Sequence, residues 1–137
     1  MTNKDVVSRF FEVSNELQAG KGIVSELDQL FRPEFVQHIA QYPPITLAGF
    51  KDMASASNDA FSDAHITVKE LVEENDKVSA YVVWQGTHTG EIWGIPATQK
   101  VISTEAMHLF RLVDGKVAEM WSVSDASGMK QQLTASE

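Results

Sequence analysis

Near Asp63 the spacing of apolar residues changes from a helical to an extended period, which limits the chain to folds in which helices come first and a sheet follows. From Asn3, read as an N-cap, Val6, Phe10, Val13 and Leu17 recur every three or four residues until Gly20 and Gly22 interrupt them. A shorter stripe of Ile23, Leu27, Leu30 and Phe31 ends at Pro33, whose ring disfavours helical geometry at Arg32. After Phe35-Val36-Gln37-His38 and a Pro43-Pro44 bend, Gly49 leads into Phe50, Met53, Ser57, Ala60 and Phe61, a third helix. Beyond Asp63, Ile66, Val68, Glu70 and Val72 alternate with Thr67, Lys69 and Leu71; a charged turn from Glu73 to Lys77 then leads to a strand from Val78 to Trp84. Thr87 to Trp93 continues the extended pattern until Gly94-Ile95-Pro96 breaks it. A long strand from about Lys100 to Leu112 turns at Asp114-Gly115 into a partner from Lys116 to Asp125. This order predicts an α+β domain with a curved antiparallel sheet.

The 137 residues make one domain, 1–137, with 133–137 a polar tail expected to fray. A chain of this size buries roughly 68% of its unfolded surface and needs no staple. The absence of cysteine removes thiolate catalysis and zinc–thiolate sites. Nineteen acidic against eleven basic residues, a net charge of −8, argue against a nucleic-acid or anionic-membrane partner. With no signal-like apolar run at the N-terminus and no stretch of membrane-spanning length, a cytoplasmic location is expected. Phosphate loops, nucleophile elbows and zinc helices are missing, and the four histidines, at 38, 65, 88 and 108, lack local metal spacing. No cofactor and no metal are expected.

Trp121 and Asp125, four apart on one strand, share a sheet face, which sets a carboxyl beside an apolar wall. What faces them depends on the turn. A two-residue Asp114-Gly115 turn sets Val113 opposite Lys116, His108 opposite Trp121, Phe110 opposite Glu119 and Thr104 opposite Asp125, with His108 facing inward. A three-residue loop sets Met107 opposite Trp121, brings in Arg111 and turns His108 outward. The first is favoured because Ala106, His108 and Phe110 then share one face, a lone polar group among apolar neighbours.

Three helices followed by strands, with Gly94-Ile95-Pro96, Arg111-Leu-Val-Asp-Gly-Lys-Val117, Glu119-Met-Trp121 and the later Asp125, resemble the SnoaL-like polyketide cyclase family of the nuclear-transport-factor-two-like superfamily, from about Val6 to Leu133. The resemblance implies a cone-shaped roll in which the curved sheet wraps the three N-terminal helices around a deep apolar pocket, and a homodimer through the outer sheet face. It implies a scaffold and not a reaction, since cyclases, isomerases, epoxide hydrolases and non-catalytic domains share it. It also departs from the family: Ser62 replaces proline in the Phe-Pro-Asp bend ending at Asp63, and Pro96-Ala97-Thr98-Gln99 lacks the glycine of Pro-Pro-Thr-Gly.

By that resemblance Asp125 is the pocket acid/base, its pKa raised by apolar surroundings; the competing reading makes it the N-cap of a terminal turn at Ala126-Ser127-Gly128. His108 stands where related isomerases carry a pocket acid. His38 follows an aromatic-Val pair as similar pocket-mouth histidines do, with Gln37 in place of their carboxylate or amide neighbour. Trp121, Trp84, Phe110, Phe61 and Trp93 are candidate substrate walls, although aromatics at sheet spacing are more often core. His88, between Gly86 and Gly90, reads as a turn residue, and Arg111 with Glu105 as a solvated or dimer-face pair.

The expected activity is cofactor-independent acid/base chemistry of cyclase or isomerase type on a small apolar carbonyl compound, Asp125 taking an α-proton and His108 or His38 steadying the enolate or returning the proton. The rival is a non-catalytic module that binds a small apolar ligand or dimerises. An epoxide hydrolase ranks last, because its Asp-Arg-Asp arrangement is missing.

Overall fold

The computed structural model describes residues 1–56 and 59–135. Ser57, assigned by spacing to the third helix, lies outside them. Thr2, one residue before the expected Asn3, caps α1 (Asn3–Gln18), its hydroxyl accepting from the Asp5 amide while the Asp5 carboxylate accepts from the Thr2 amide. Val6, Val7, Phe10, Phe11 and Val13 form the buried stripe of α1. The second stripe is much shorter than its spacing suggests: α2 is only Leu27–Leu30, and Phe31 already belongs to β1 (Phe31–Ile39). Pro33 is tolerated in β1 because the pairing register shifts between Phe31 and Val36, so no ladder bond is asked of it. A short β2 (Ile45–Thr46) leads into α3 (Leu47–Ser55), capped by the Thr46 hydroxyl; Phe61 opens a strand instead of ending this helix.

The remaining strands are β3 (Phe61–Glu74), β4 (Lys77–His88), β5 (Val101–Val113) and β6 (Lys116–Ser124). The extended pattern expected to run to Trp93 stops at His88, and Ile92 and Ile95 close a small turn beyond it. The six strands lie in the order β2-β1-β6-β5-β4-β3, antiparallel except for β1 beside β6. The fold is thus α+β, a curved open sheet with helices against one face. The core between them joins Val7, Phe10 and Phe11 of α1 to Phe31, Phe35, Val78, Val82 and Phe110.

A fourth helix follows β6 and takes in Leu133 and Thr134 of the segment read as a polar tail, whose residues 136–137 lie outside the described residues. β6 ends at Ser124 opposite Ala106, which leaves β5 from Val101 to Glu105 without a partner on that side. The Asp125 amide donates to the Glu105 carbonyl, and α4 (Ala126–Thr134) then covers the edge. Gln132 completes the cover: its Oε1 accepts from the Ser103 amide at 3.0 Å and its Nε2 donates to the Ser103 carbonyl at 2.7 Å. Leu133, only 2% exposed, anchors α4 in a second apolar cluster with Phe61, Ile102 and Trp84. Asn15 does the same at the opposite edge, bonding both the amide and the carbonyl of Ile66 and tying α1 to β3.

Candidate functional site

The chain turns at Asp114-Gly115 with two left-handed residues (φ 51° and 78°), and Val113 pairs with Lys116 as the two-residue turn requires. One step later the register shifts: Leu112 pairs with Val117 and Arg111 with Glu119, so Ala118 is the extra residue of a bulge. Both Val117 and Ala118 are buried, and every residue beyond them is moved one place. His108 therefore lies opposite Ser122 and not Trp121, Phe110 lies opposite Met120 and not Glu119, and Ala106 lies opposite Ser124. His108 faces the helices; Trp121, with Glu119 and Val123, lies on the other face of the sheet.

Between the concave sheet face and the helices is a cavity of about 1000 Å³. Phe10, Phe11, Leu17, Phe50, Ile66 and Met120 supply much of its apolar wall, and Gln18, Gln37 and His108 are among its polar members. Two of these polar members, Gln37 and His108, are joined through Ser122 in a three-residue chain. Gln37 Nε2 donates to Ser122 Oγ at 3.0 Å, and Ser122 Oγ lies 2.8 Å from His108 Nδ1. With Gln37 donating into Ser122 Oγ, the hydroxyl proton can point at the Nδ1 lone pair, and in that tautomer the ring proton stands on Nε2. Burial disfavours the imidazolium and lowers the His108 pKa to about 4, so the ring is neutral near pH 7. In that tautomer the site presents a neutral N–H donor, packed beside Phe11 and Phe110 at ring-centre distances of 6.0 and 6.1 Å.

The other sequence candidates lie elsewhere. Asp125 is exposed and caps α4, its Oδ1 accepting from the Gly128 amide at 2.8 Å, as the competing reading had it; the bulge gives it the outward parity and the uncovered β5 edge fixes it there. His38 and Trp121 stack on the outer face at 5.4 Å between ring centres. His38 Nε2 meets Glu119 Oε2 at 2.6 Å, and Arg111 Nε donates to Glu119 Oε1 at 3.1 Å. The hydrogen bond from His38, reinforced by Arg111, holds the Glu119 carboxyl below the usual carboxylate range. Arg111 thus pairs with Glu119, while Glu105 accepts from the Tyr81 hydroxyl at 2.8 Å.

Phe110 is fully buried core behind the cavity, and Phe61 packs edge-on against Trp84 in the second cluster. Trp84 nevertheless touches the site indirectly, donating from Nε1 to Gln18 Oε1 at 3.0 Å. Trp93 is 54% exposed at the tip of the Ile92–Ile95 turn, outside the cavity lining. His88 is fully buried, its Nδ1 accepting from the Thr98 amide at 3.1 Å, which pins the loop that follows. Among the described residues no cluster of three or more His, Asp or Glu side chains could hold a metal ion, and no helix is long and apolar enough to cross a membrane.

Gln37 and Ser122 were not singled out from the sequence. The signal for Gln37 was the alternation Phe35, Gln37 against Val36, His38 in β1, visible only once that segment is recognised as a strand. For Ser122 there was none, because the bulge that turns it inward leaves no local mark. With Asp125 acting as a cap, Asp125→Ala is expected to lower stability by about 1 kcal/mol in urea unfolding and to leave substrate turnover within about two-fold of the native protein. A loss of turnover without loss of stability would return Asp125 to the chemistry.

The family model described as SnoaL-like polyketide cyclase matches residues 6–133. Nogalonic acid methyl ester cyclase of Streptomyces nogalater is 28% identical over 121 residues, 82% of this chain and 86% of its own length. The aklanonic acid methyl ester cyclase DnrD of Streptomyces peucetius is 39% identical over 75 residues, 54% of this chain, which spans about half (52%) of that relative. Among solved structures, IdmH of Streptomyces antibioticus, a candidate polyketide cyclase, superposes with a TM-score of 0.85 at 26% identity, over 98% of this chain and 100% of that one. A SnoaL-like protein of Jannaschia gives 0.81 at 20% identity, over 98% and 93%, a likeness of fold.

Proposed function

The chain belongs to the SnoaL-like polyketide cyclase family, and from that premise we propose that it catalyses an intramolecular aldol ring closure in the cavity between α1, α3 and the sheet. The observation that carries this reading is the placement of His108, its Nδ1 bonded to Ser122 and its ring lining a large apolar chamber where Nε2 can serve as a hydrogen-bond donor. Such a donor stabilises the oxygen of an enolate or aldolate as charge develops on it. The cavity lining, among the described residues, contains no Asp or Glu. The fitting substrate is therefore a compound whose reacting C–H lies between two carbonyl groups and enolises without a strong base. Ring closure forms one carbon–carbon bond and moves one proton from carbon to oxygen, so product and substrate have the same mass.

The test is incubation with the methyl esters of nogalonic and aklanonic acids, followed by chromatography for a cyclised isomer. Conversion above the protein-free rate is expected with at least one; no conversion of either, with binding retained, would support the rival reading of a non-catalytic pocket, which the missing carboxylate favours.

The outer sheet face supports a homodimer. Met107, Leu109 and Val123 are 52%, 37% and 61% exposed, with Met107 opposite Val123 and Leu109 opposite Trp121, so they form one apolar surface bordered by the His38–Glu119–Arg111 network. Soluble monomers seldom leave such a surface open. The native protein is expected to sediment as a dimer at micromolar concentration and Met107→Glu with Val123→Glu as a monomer; a monomeric native protein would refute the interface.

A further inference from the structure

Thr104, Phe110 and Leu112 of β5 are buried against the helices, so the outward residues between them read Glu105, Met107, Leu109, Arg111. An acid and a base, about 20 Å apart along the strand, thus flank two exposed apolar side chains. Both charged groups keep bonding capacity to spare. Arg111 spends its Nε on Glu119, and its two Nη groups have no hydrogen-bond partner among the described residues; Glu105 spends Oε1 on the Tyr81 hydroxyl and keeps Oε2. The other acids near Arg111 are already engaged, Glu119 by His38 and by Arg111 itself, and Glu34 by Arg32. Beside Arg111 on β4 stands Lys77, which also reaches Asp76, and beside Glu105 stands Asp125, whose amide bonds the Glu105 carbonyl. The outer face is therefore polarised along β5, basic at one end and acidic at the other, with the apolar surface between.

We propose that this order sets the register of a second copy of the chain: the two outer faces meet about a two-fold axis that crosses the strands level with His108, β5 lies antiparallel on β5, and Glu105 of each copy pairs with Arg111 of the other while Met107 meets Leu109. This assignment rests on the homodimer reading given above and adds the residues that choose the orientation. Such an axis exchanges residues equally far on either side of His108, which relates Glu105 to Arg111 and Met107 to Leu109. Moving it one residue along β5 sets Glu105 on Leu109 or Arg111 on Met107, and running the strands parallel sets each charge on its own kind. Stacked sheets lie about 10 Å apart with their strands turned by about 30°, so a pair about 10 Å from the axis is carried sideways by about 5 Å, within reach of an arginine side chain. Charge in this position contributes orientation and discrimination, and the apolar residues between supply the area.

Sedimentation of charge-reversed variants tests the register. Glu105→Arg makes both ends basic and Arg111→Glu makes both acidic, so each variant alone is expected to dimerise about 100-fold more weakly than the native protein, whereas their equimolar mixture is expected to form a heterodimer within about ten-fold of the native Kd. Arg111→Glu also sets a second carboxylate beside Glu119. Should it fail to fold, the neutral variants Glu105→Gln and Arg111→Gln decide: each is expected to weaken the dimer, and the two together no further than the stronger alone, because one lost pair cannot be lost twice. Reversed variants that dimerise as the native chain does, a mixture no tighter than its components, or neutral variants whose effects add would each overturn the register. In those cases dissociation by Met107→Glu with Val123→Glu leaves the homodimer reading intact. A native protein that sediments as a monomer at micromolar concentration removes the homodimer and its register together, and gives the face to a different partner.

Discussion

His108→Phe is expected to lose turnover and gain relative stability in acid, two effects of opposite sign from one side chain. Removing a donor aimed at a developing oxyanion costs about 100-fold or more in kcat. The stability effect follows from the buried ring, whose folded pKa of about 4 lies below the ordinary histidine value of 6.5. Between those values the unfolded chain binds a proton that the folded chain refuses, so the native protein has the full contribution above about pH 6.5 and loses it as pH falls towards 4. Integrated from about pH 7 to about pH 4.5, the loss is ~2.5 kcal/mol. Phenylalanine fits between Phe11 and Phe110 and has no proton to bind. Urea unfolding of both proteins at the two pH values measures the difference directly. Curves that fall in parallel would mean that His108 is not held neutral by burial, and the donor role would go with it.

The change of period near Asp63 was enough to read helices followed by a sheet, and the Asp114-Gly115 pair was enough to read the turn. Neither could reveal the bulge at Ala118. A bulge is one residue more on one strand than on the other, and Val117-Ala118 are as apolar as any other strand residues. Yet that residue decides the site: without it Trp121 would face the cavity, and with it Ser122 does. Asp125 lost its pocket position to the same shift, and its capping role was legible in Ala126-Ser127-Gly128 all along. The parallel β1 was hidden for a different reason. Pro33 reads as a helix terminator and only incidentally as a strand residue, so the segment carrying Gln37 and His38 looked like a connection. The helix and sheet edges held by Asn15 and Gln132 depend on contacts 51 and 29 residues away in sequence, where local pattern carries no information.

The largest loss of stability is expected from Phe31→Ala. Phe31 is 1% exposed where β1 begins, stacked on Phe35 at 4.5 Å with Phe10 and Phe50 at 5.3 and 5.4 Å. Three rings from α1, β1 and α3 therefore meet at this one, and truncation removes its transfer energy and leaves a void that rings on separate elements cannot jointly fill. The expected cost is about 3–5 kcal/mol, against total stabilities of about 5–15 kcal/mol for domains in general, so the urea midpoint should drop by a large fraction. Phe31→Leu keeps much of the volume and is expected to cost about 1.5 kcal/mol. Phe10 and Phe50 also line the cavity, so the alanine variant should bind apolar ligands less tightly, as its walls lose their backing. A cost below about 1 kcal/mol would mean that the cluster collapses around the gap, and that the cavity walls are set by the sheet and not by the aromatic contact between helices and β1.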